Sequence, residues 1–335
     1  MTKTILAIES SCDDSSAAIF IDGELVILGV SSQKIHKKYG GVIPELASRA
    51  HQQEIVPVVD YVIKESGLTP KDVDAVAFTR GPGLLGSLLV GTNFAKSFAL
   101  AGDLPLIAVN HMEAHILAHM IEKPKPEFPF ICLTVSGGHT QIVLVKSPFD
   151  FEIIGETLDD AAGEAFDKTG KLIGLEYPAG PLIDKLAQKG QAIYPFPIPK
   201  VDGYNFSFSG LKTAIRNFII REKKKSENFI ENHLNDICAS VQKSIVEILI
   251  LKIEAAAKEY GVERIAIAGG VSANSGLREE LKALCNRNTW KYFIPKFAYC
   301  TDNAAMIGVA AYFKLQKNEF VDQEITPDPK LKINQ

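Results

Sequence analysis

The sequence predicts a duplicated α/β protein made of two related domains, and three observations carry that prediction. The chain has 335 residues, more than one core usually absorbs. A strand–turn–strand–turn–strand rhythm occurs twice, at the start and again after Pro129. Each triplet is followed by helical sequence and later by a strand ending in glycines. Ala75-Val76-Ala77-Phe78 runs into Gly81-Pro82-Gly83, and Ile265-Ala266-Ile267-Ala268 into Gly269-Gly270. A two-fold repeat of β-β-β-α-β-α units places a ligand site in the cleft between the halves.

In the first unit residues 4–8 are apolar, and Glu9-Ser10-Ser11-Cys12-Asp13-Asp14-Ser15 interrupts them. Residues 17–21 are apolar again, Asp22-Gly23 supplies a hairpin turn, and residues 25–30 return as the third strand. In the second unit Ser136-Gly137-Gly138 joins strands at 130–135 and 139–145, and Ser147-Pro148 leads to a third at 151–154. The polar, proline-rich Lys123-Pro124-Lys125-Pro126 marks the boundary. The expected domains are therefore residues 1–125 and 126–325, with an insertion at about 190–232 and a polar, peripheral tail at 326–335.

Hydrophobic residues make up 46% and charged residues 23% of the chain, a globular rather than disordered balance. The start moves straight into a strand pattern, and no apolar run is long enough to span a membrane, so a cytoplasmic location is expected. The five cysteines (Cys12, Cys132, Cys238, Cys285, Cys300) stand singly, which argues against a disulfide framework and a thiolate zinc site. A net charge of −4 means that any nucleic-acid partner must be met by a local basic patch.

The sharpest chemical signal is Asn110-His111-Met112-Glu113-Ala114-His115. Residues 106–109 read as a strand, Asn110 as a helix N-cap, and His111 and His115 as one helical turn apart. At about 6 Å of rise both imidazoles share a face and suit one metal ion. His119 lies about 12 Å along the axis from His111, too far to share that ion. The motif is H-x-E-x-H, and Glu113 points roughly 200° from His111 at about 100° per residue, so a zinc-peptidase site fails on geometry. Asp302, in Cys300-Thr301-Asp302-Asn303, is the candidate third ligand.

Three glycine-rich turns follow. Ser136-Gly137-Gly138-His139-Thr140 and Gly269-Gly270-Val271-Ser272-Ala273-Asn274 are each either a plain tight turn or a seat for an anion. Gly81-Pro82-Gly83-Leu84-Leu85-Gly86 matches the dinucleotide fingerprint in form, but Asp103 precedes the next strand rather than ending it, and that reading is rejected. Asp160, Glu164 and Asp167 fall on one helical face, as a solvated face or as carboxylates for ribose hydroxyls.

Together Glu9-Ser10-Ser11-Cys12-Asp13, the His111/His115 segment, Ser136-Gly137-Gly138-His139-Thr140, Gly269-Gly270-Val271 and the Asp302 turn resemble the tRNA N6-adenosine threonylcarbamoyltransferase (TsaD) family, over about residues 5–312. Asp14-Ser15 and Gly102 depart from the family pattern without removing a mapped ligand. The resemblance implies the two-lobed actin/sugar-kinase/heat-shock ATPase-like architecture, a duplicated ribonuclease H-like fold. It places the metal ligands on His111, His115 and Asp302, with one divalent ion, Fe2+ or Zn2+, per subunit. It places substrate contacts on Thr134, Val135, Ser136, Gly137, Gly138, Asp167, Gly180, Asp184 and Asn274. The implied reaction is transfer of threonylcarbamoyl from threonylcarbamoyl-AMP to N6 of adenosine 37 in tRNAs reading codons that begin with A. The implied partners are tRNA, an inactive paralogue (TsaB) that dimerises with the enzyme, and a small P-loop ATPase (TsaE), with no membrane.

On that basis the metal would neutralise charge on the leaving AMP, and the Ser136-Gly137-Gly138 backbone would bind the acyl group. Asp13 and Glu9 are both candidates for the base. A sugar-kinase-like phosphotransferase is the rival within the same fold, but such enzymes hold Mg2+ through oxygen ligands, whereas a His-His-Asp set suits a transition metal. An inactive scaffold would have lost the ligands, and all three are present. The helix expected between Pro44 and Lys64, with Leu46, Ile55, Val58, Val59, Val62 and Ile63 at helical spacing, either packs only on the first domain's own sheet or, as the resemblance implies, offers part of its surface to the paralogue. The Lys34-Ile35-His36-Lys37-Lys38 and Arg221-Glu222-Lys223-Lys224-Lys225 runs are expected to meet tRNA phosphates.

Overall fold

A computed structural model describes residues 2–33, 36 and 39–334. Lys34, Ile35, Lys37 and Lys38 of the first basic run lie outside the described residues. The chain forms two compact units, Met1–Lys125 together with Pro295–Gln335, and Pro126–Ile294.

In the first unit β1 (Thr4–Glu9), β2 (Asp14–Ile21) and β3 (Glu24–Ser32) form an antiparallel meander. The β2–β3 turn is Asp22-Gly23, with φ of 49° and 83°, the positive pair that matches a tight hairpin to the strand twist. Helix α1 (Pro44–Glu65) starts on Pro44, where a missing N–H costs no helix bond. Strand β4 (Ala75–Gly81), helix α2 (Leu85–Gly102), strand β5 (Leu106–Asn110) and helix α3 (His111–Leu117) complete the run. The sheet order is β3-β2-β1-β4-β5, with β1, β4 and β5 parallel. Central β1 is buried along its whole length, as a strand covered on both faces must be.

The second unit repeats this plan. Strands β6 (Phe130–Val135), β7 (Thr140–Ser147) and β8 (Asp150–Glu156) form the meander. Helices α4 (Ala162–Leu172), α5 (Ala179–Ala187), α6 (Ser209–Lys223) and α7 (Phe229–Tyr260) follow. Strand β9 (Arg264–Ala268), helix α8 (Ser275–Asn288) and strand β10 (Lys291–Phe293) close the unit. Its sheet, β10-β9-β6-β7-β8, has the strand order and directions of the first. The stretch at 190–232 contains α6, and Phe206, Phe208, Leu211, Ile215 and Ile219 sink into the unit's core.

Two expectations need correction. The second domain does not run to residue 325: from Pro295 the chain belongs to the first unit, and helix α9 (Ala304–Gln316) packs on β1, β2 and α3. Its first eight residues are all buried, a helix apolar on nearly every face that needs an existing sheet to cover it. The tail at 326–335 is not peripheral either, because Leu331 and Ile333 are buried. These two apolar residues, alternating with polar neighbours, are enough to anchor an otherwise polar segment. Among the described residues no helix is long and apolar enough to cross a membrane.

The surface expected of α1 also changes. Ile55, Val58, Val59, Val62 and Ile63 lie in the first unit's own core, which leaves Val56 and Tyr61 as the exposed apolar residues of that helix. In the second basic run Glu222 accepts Arg221 and Lys225, and Lys223 and Lys224 are exposed.

Candidate functional site

Within the first unit, two histidines from one short helix meet an aspartate from the returning segment. Asn110 ends β5, and its side-chain oxygen accepts the N–H groups of Met112 (2.9 Å) and Glu113 (3.3 Å), capping α3. That cap holds the first turn, so His111 and His115 leave one face with ring centroids 4.7 Å apart and planes at 87°. Asp302 lies in the turn before α9, and Asn303 caps that helix. Asp302 Oδ1 is 3.3 Å from His111 Nε2 and 3.1 Å from His115 Nε2. The three ligating atoms lie within 4.8 Å of one another, close enough for one ion to touch all three. His119 is not part of the group.

Glu9, at the end of β1, stands behind His111. It is fully buried, and both oxygens are taken. Oε1 accepts the Ser11 N–H (2.5 Å), while Oε2 accepts the Thr79 hydroxyl and faces His111 Nδ1 at 3.2 Å. Ser11 Oγ is also 3.2 Å from that nitrogen. When Nε2 is a ligand, Nδ1 carries the ring proton and donates to the carboxylate, which fixes tautomer and ring angle. His115 lacks such support, and its buried Nδ1 has no hydrogen-bond partner among the described residues. Asp13 is half-buried in the turn between β1 and β2.

The electrostatics suit a cation. Burial opposes charge on His111, but the Asp302 and Glu9 carboxylates outweigh it and push its pKa up to about 10. Burial also opposes charge on Asp302, yet His111 and His115 hold that carboxyl well below the usual carboxylate range. On Glu9 burial is again outweighed, by His111, and its pKa is lowered. With both rings neutral, the two carboxylates leave uncompensated negative charge in a buried place, which a divalent ion relieves. Two imidazoles and a carboxylate are a transition-metal set, so the residues fit such an ion. The Cys12 thiol is pushed up by burial and by the nearby Asp302 and Asp13 carboxylates, which makes it a poor nucleophile.

The remaining expected residues belong to the second unit. Thr134 and Val135 end β6, and Ser136 Oγ accepts the Gly138 (3.4 Å) and His139 (3.1 Å) N–H groups, so the loop is a self-closed turn. Gly269 touches this loop's base: its φ is 85°, and a Cβ there would strike the Val135 carbonyl. Asp160 precedes α4 rather than sharing its face with Asp167, and it pairs with Lys168 (2.6 Å) and Lys212 (3.1 Å). Asp167 Oδ1 accepts the Ala179 (2.7 Å) and Gly180 (3.3 Å) N–H groups and thereby caps α5. Burial raises the Asp167 pKa. Asp184 accepts Ser275 Oγ (2.6 Å) and Ser275 N–H (3.1 Å), and Asn274 caps α8 while donating to Gln242 (2.8 Å).

Sequence reasoning missed four supporting residues, namely Ser11 and Thr79 at the metal group and Gln242 and Ser275 in the second unit. Gln242 alone carried a signal, as an amide in the apolar run Ile237-Cys238-Ala239-Ser240-Val241 of α7.

Two repeats with matching sheets define an actin-like ATPase-type fold, here with a His-His-Asp group in its first unit that could hold a metal ion. The same fold occurs in full-length HypF in its phosphate- and nucleotide-bound form, at TM-score 0.63 and 17% identity over 95% of this chain and 47% of that one. Component A of Acidaminococcus fermentans (R)-2-hydroxyglutaryl-CoA dehydratase matches at TM-score 0.54 and 16% identity, over 94% and 99% of the two chains. The chain belongs to the tRNA N6-adenosine threonylcarbamoyltransferase family, whose model matches residues 25–309. A relative of that name from Christiangramia forsetii is 58% identical over 98% of both chains. Another, from Riemerella anatipestifer, is 55% identical over 98% of both. The chain is accordingly a transferase of tRNA modification.

Proposed function

We propose that the chain moves the threonylcarbamoyl group of threonylcarbamoyl-AMP to N6 of adenosine 37 in tRNAs reading codons that begin with A. The observation that carries this reading is the convergence of His111, His115 and Asp302 in a chain whose full-length relatives are threonylcarbamoyltransferases. Those three residues would hold one divalent ion, Fe2+ or Zn2+, which when bound supplies Lewis acidity toward the adenylate's phosphate oxygens. Glu9 keeps His111 in the tautomer whose Nε2 is a ligand, so its role is orientation. Asp13, half-buried in the adjacent turn, is assigned as the base that takes the N6 proton.

In the second unit the Gly137 N–H is assigned to the acyl oxygen, which gains negative charge as N6 attacks, while the Gly138 N–H closes the turn on Ser136 Oγ. Thr134, Val135 and Ser136 hold that loop in place. The bond from N6 to the acyl carbon forms, and the bond from that carbon to the AMP phosphate oxygen breaks. Asp167, Gly180, Asp184 and Asn274 are assigned to the nucleoside, with the Asp167 oxygen not used in the α5 cap accepting a ribose hydroxyl. Lys223 and Lys224 are assigned to tRNA phosphates. The exposed Val56 and Tyr61 of α1 and Leu85 and Leu89 of α2 are assigned to an inactive paralogue (TsaB), and a small P-loop ATPase (TsaE) completes the set.

The purified protein, supplied with both partners, threonylcarbamoyl-AMP and a tRNA transcript, should form the modified nucleoside by mass spectrometry. A transcript carrying guanosine in place of adenosine 37 should not. Equal product on both transcripts would remove the positional assignment, and none on either would remove the reaction. Asp167→Ala and Asp184→Ala should each weaken binding of an adenylate analogue about tenfold, the loss of one hydrogen bond of about 1.5 kcal/mol, without lowering metal content. Isothermal calorimetry reads this directly, and unchanged affinity would leave both residues as helix caps and loop latches only.

A further inference from the structure

Resting on the metal reading above, we infer that the C-terminal segment after Thr326 is a positioning strap that holds helix α3, and through it the two histidine ligands, at the geometry the metal needs. The strap runs back over the first unit. Asp328 N–H donates to the Arg80 carbonyl (2.8 Å), and Gly83 N–H to the Pro329 carbonyl (3.3 Å). Gly81 permits this approach, since a Cβ there would collide with the Asp328 carbonyl. Leu331 and Ile333 then bury their side chains.

Between and beyond those anchors the strap grips α3 twice. Asn110 Nδ2 donates to the Lys332 carbonyl (2.7 Å), so the residue that caps α3 through its oxygen is itself fixed through its nitrogen. Glu113 Oε1 accepts the Asn334 N–H (2.8 Å). Glu113 is 4% exposed, and helical geometry turns it away from the His111–His115 face. The strap thus takes one side of the helix and the metal the other.

A helix of seven residues is too short to hold its own shape. It depends on its cap and on tertiary contacts, and the strap supplies contacts to both the cap residue and the first turn. A loosened first turn would let the His111 and His115 Nε2 atoms drift apart, and a three-residue ligand set tolerates little of that. The motif Asn110-His111-Met112-Glu113-Ala114-His115 therefore divides its work: the histidines face the ion, while Asn110 and Glu113 face the strap.

The test uses full-length protein and Co2+ alone as the probe, with affinity from chelator competition and geometry from the visible spectrum. Leu331→Ser/Ile333→Ser frees the strap. Asn110→Ser keeps a capping oxygen but loses the donor to Lys332. Each should weaken Co2+ binding by about tenfold, the low end for supporting residues, and alter the spectrum while the far-ultraviolet dichroism stays native. Glu113→Ala should do the same, and Glu113→Gln, which keeps the acceptor for Asn334, should restore wild-type affinity. Should the strap variant unfold, Asn110→Ser and the Glu113 pair decide alone. Wild-type Co2+ affinity and spectrum in those variants would overturn the strap's role with the metal site intact. No Co2+ binding by the wild type would overturn the metal reading and the strap's role with it.

Discussion

His115→Ala should yield a folded protein that has lost its divalent metal and about a thousandfold of its transfer activity, because Lewis-acid stabilisation is worth several kcal/mol. The fold should survive because His115 has few obligations besides ligation. Its Nδ1 has no hydrogen-bond partner among the described residues, so truncation orphans no donor on that side, and the losses are one contact to Asp302 and the edge-on ring contact with His111. His111→Ala should lose the metal too but also destabilise the protein, since it strips Glu9 of a partner in a fully buried place. Metal content by mass spectrometry, nucleoside yield and urea unfolding separate the two variants. Full metal and full activity in His115→Ala would remove it from the ligand set. Equal stability loss in both would contradict the asymmetry in their support.

Glu9→Ala should be among the most damaging single changes in the first unit. It leaves the Ser11 N–H and the Thr79 hydroxyl without their acceptor at once, and the His111 Nδ1–H with only Ser11 Oγ at 3.2 Å. Removing one partner from a buried charged pair costs about 3–5 kcal/mol, and loss of a carboxylate behind a ligating histidine lowers metal affinity about 10–100-fold. Glu9→Gln keeps an acceptor for Ser11 or Thr79 and should sit between. Equilibrium urea unfolding and chelator competition read the two effects. An unfolding midpoint and affinity equal to wild type would show that the Glu9–His111 contact carries neither.

The sequence made the local features of this molecule legible. Each strand triplet announces itself by short apolar runs and turn residues, and Asp22-Gly23 adopts the paired positive φ that its composition suggests. Asn110 caps α3, as an amide at the end of a strand and directly before two helical histidines suggests. Relations across long stretches of chain were less legible. The return of residues 295–335 to the first unit depends on which sheet has an uncovered face, and α9 itself shows only a mostly apolar stretch. The same limit hid the support around Glu9, where Thr79 and His111 arrive from β4 and α3. Asp167 reads as a ribose ligand by residue type and Asp184 as a substrate contact by resemblance, yet their nearest partners are the α5 cap and Ser275, loops that sequence spacing does not bring together. Helical periodicity in α1 correctly marked an apolar face, but burial against its own unit consumed that face.

Metal titration of chelator-stripped wild-type protein tests the central claim most directly, with transfer measured at each step. Negligible transfer is expected without metal, with recovery that saturates at one Zn2+ or Fe2+ per chain. No recovery is expected in His111→Ala/His115→Ala, whose remaining Asp302 cannot hold the ion alone. Full turnover by the stripped protein, or recovery of the double variant at the same stoichiometry, would rule out metal-dependent transfer at this site.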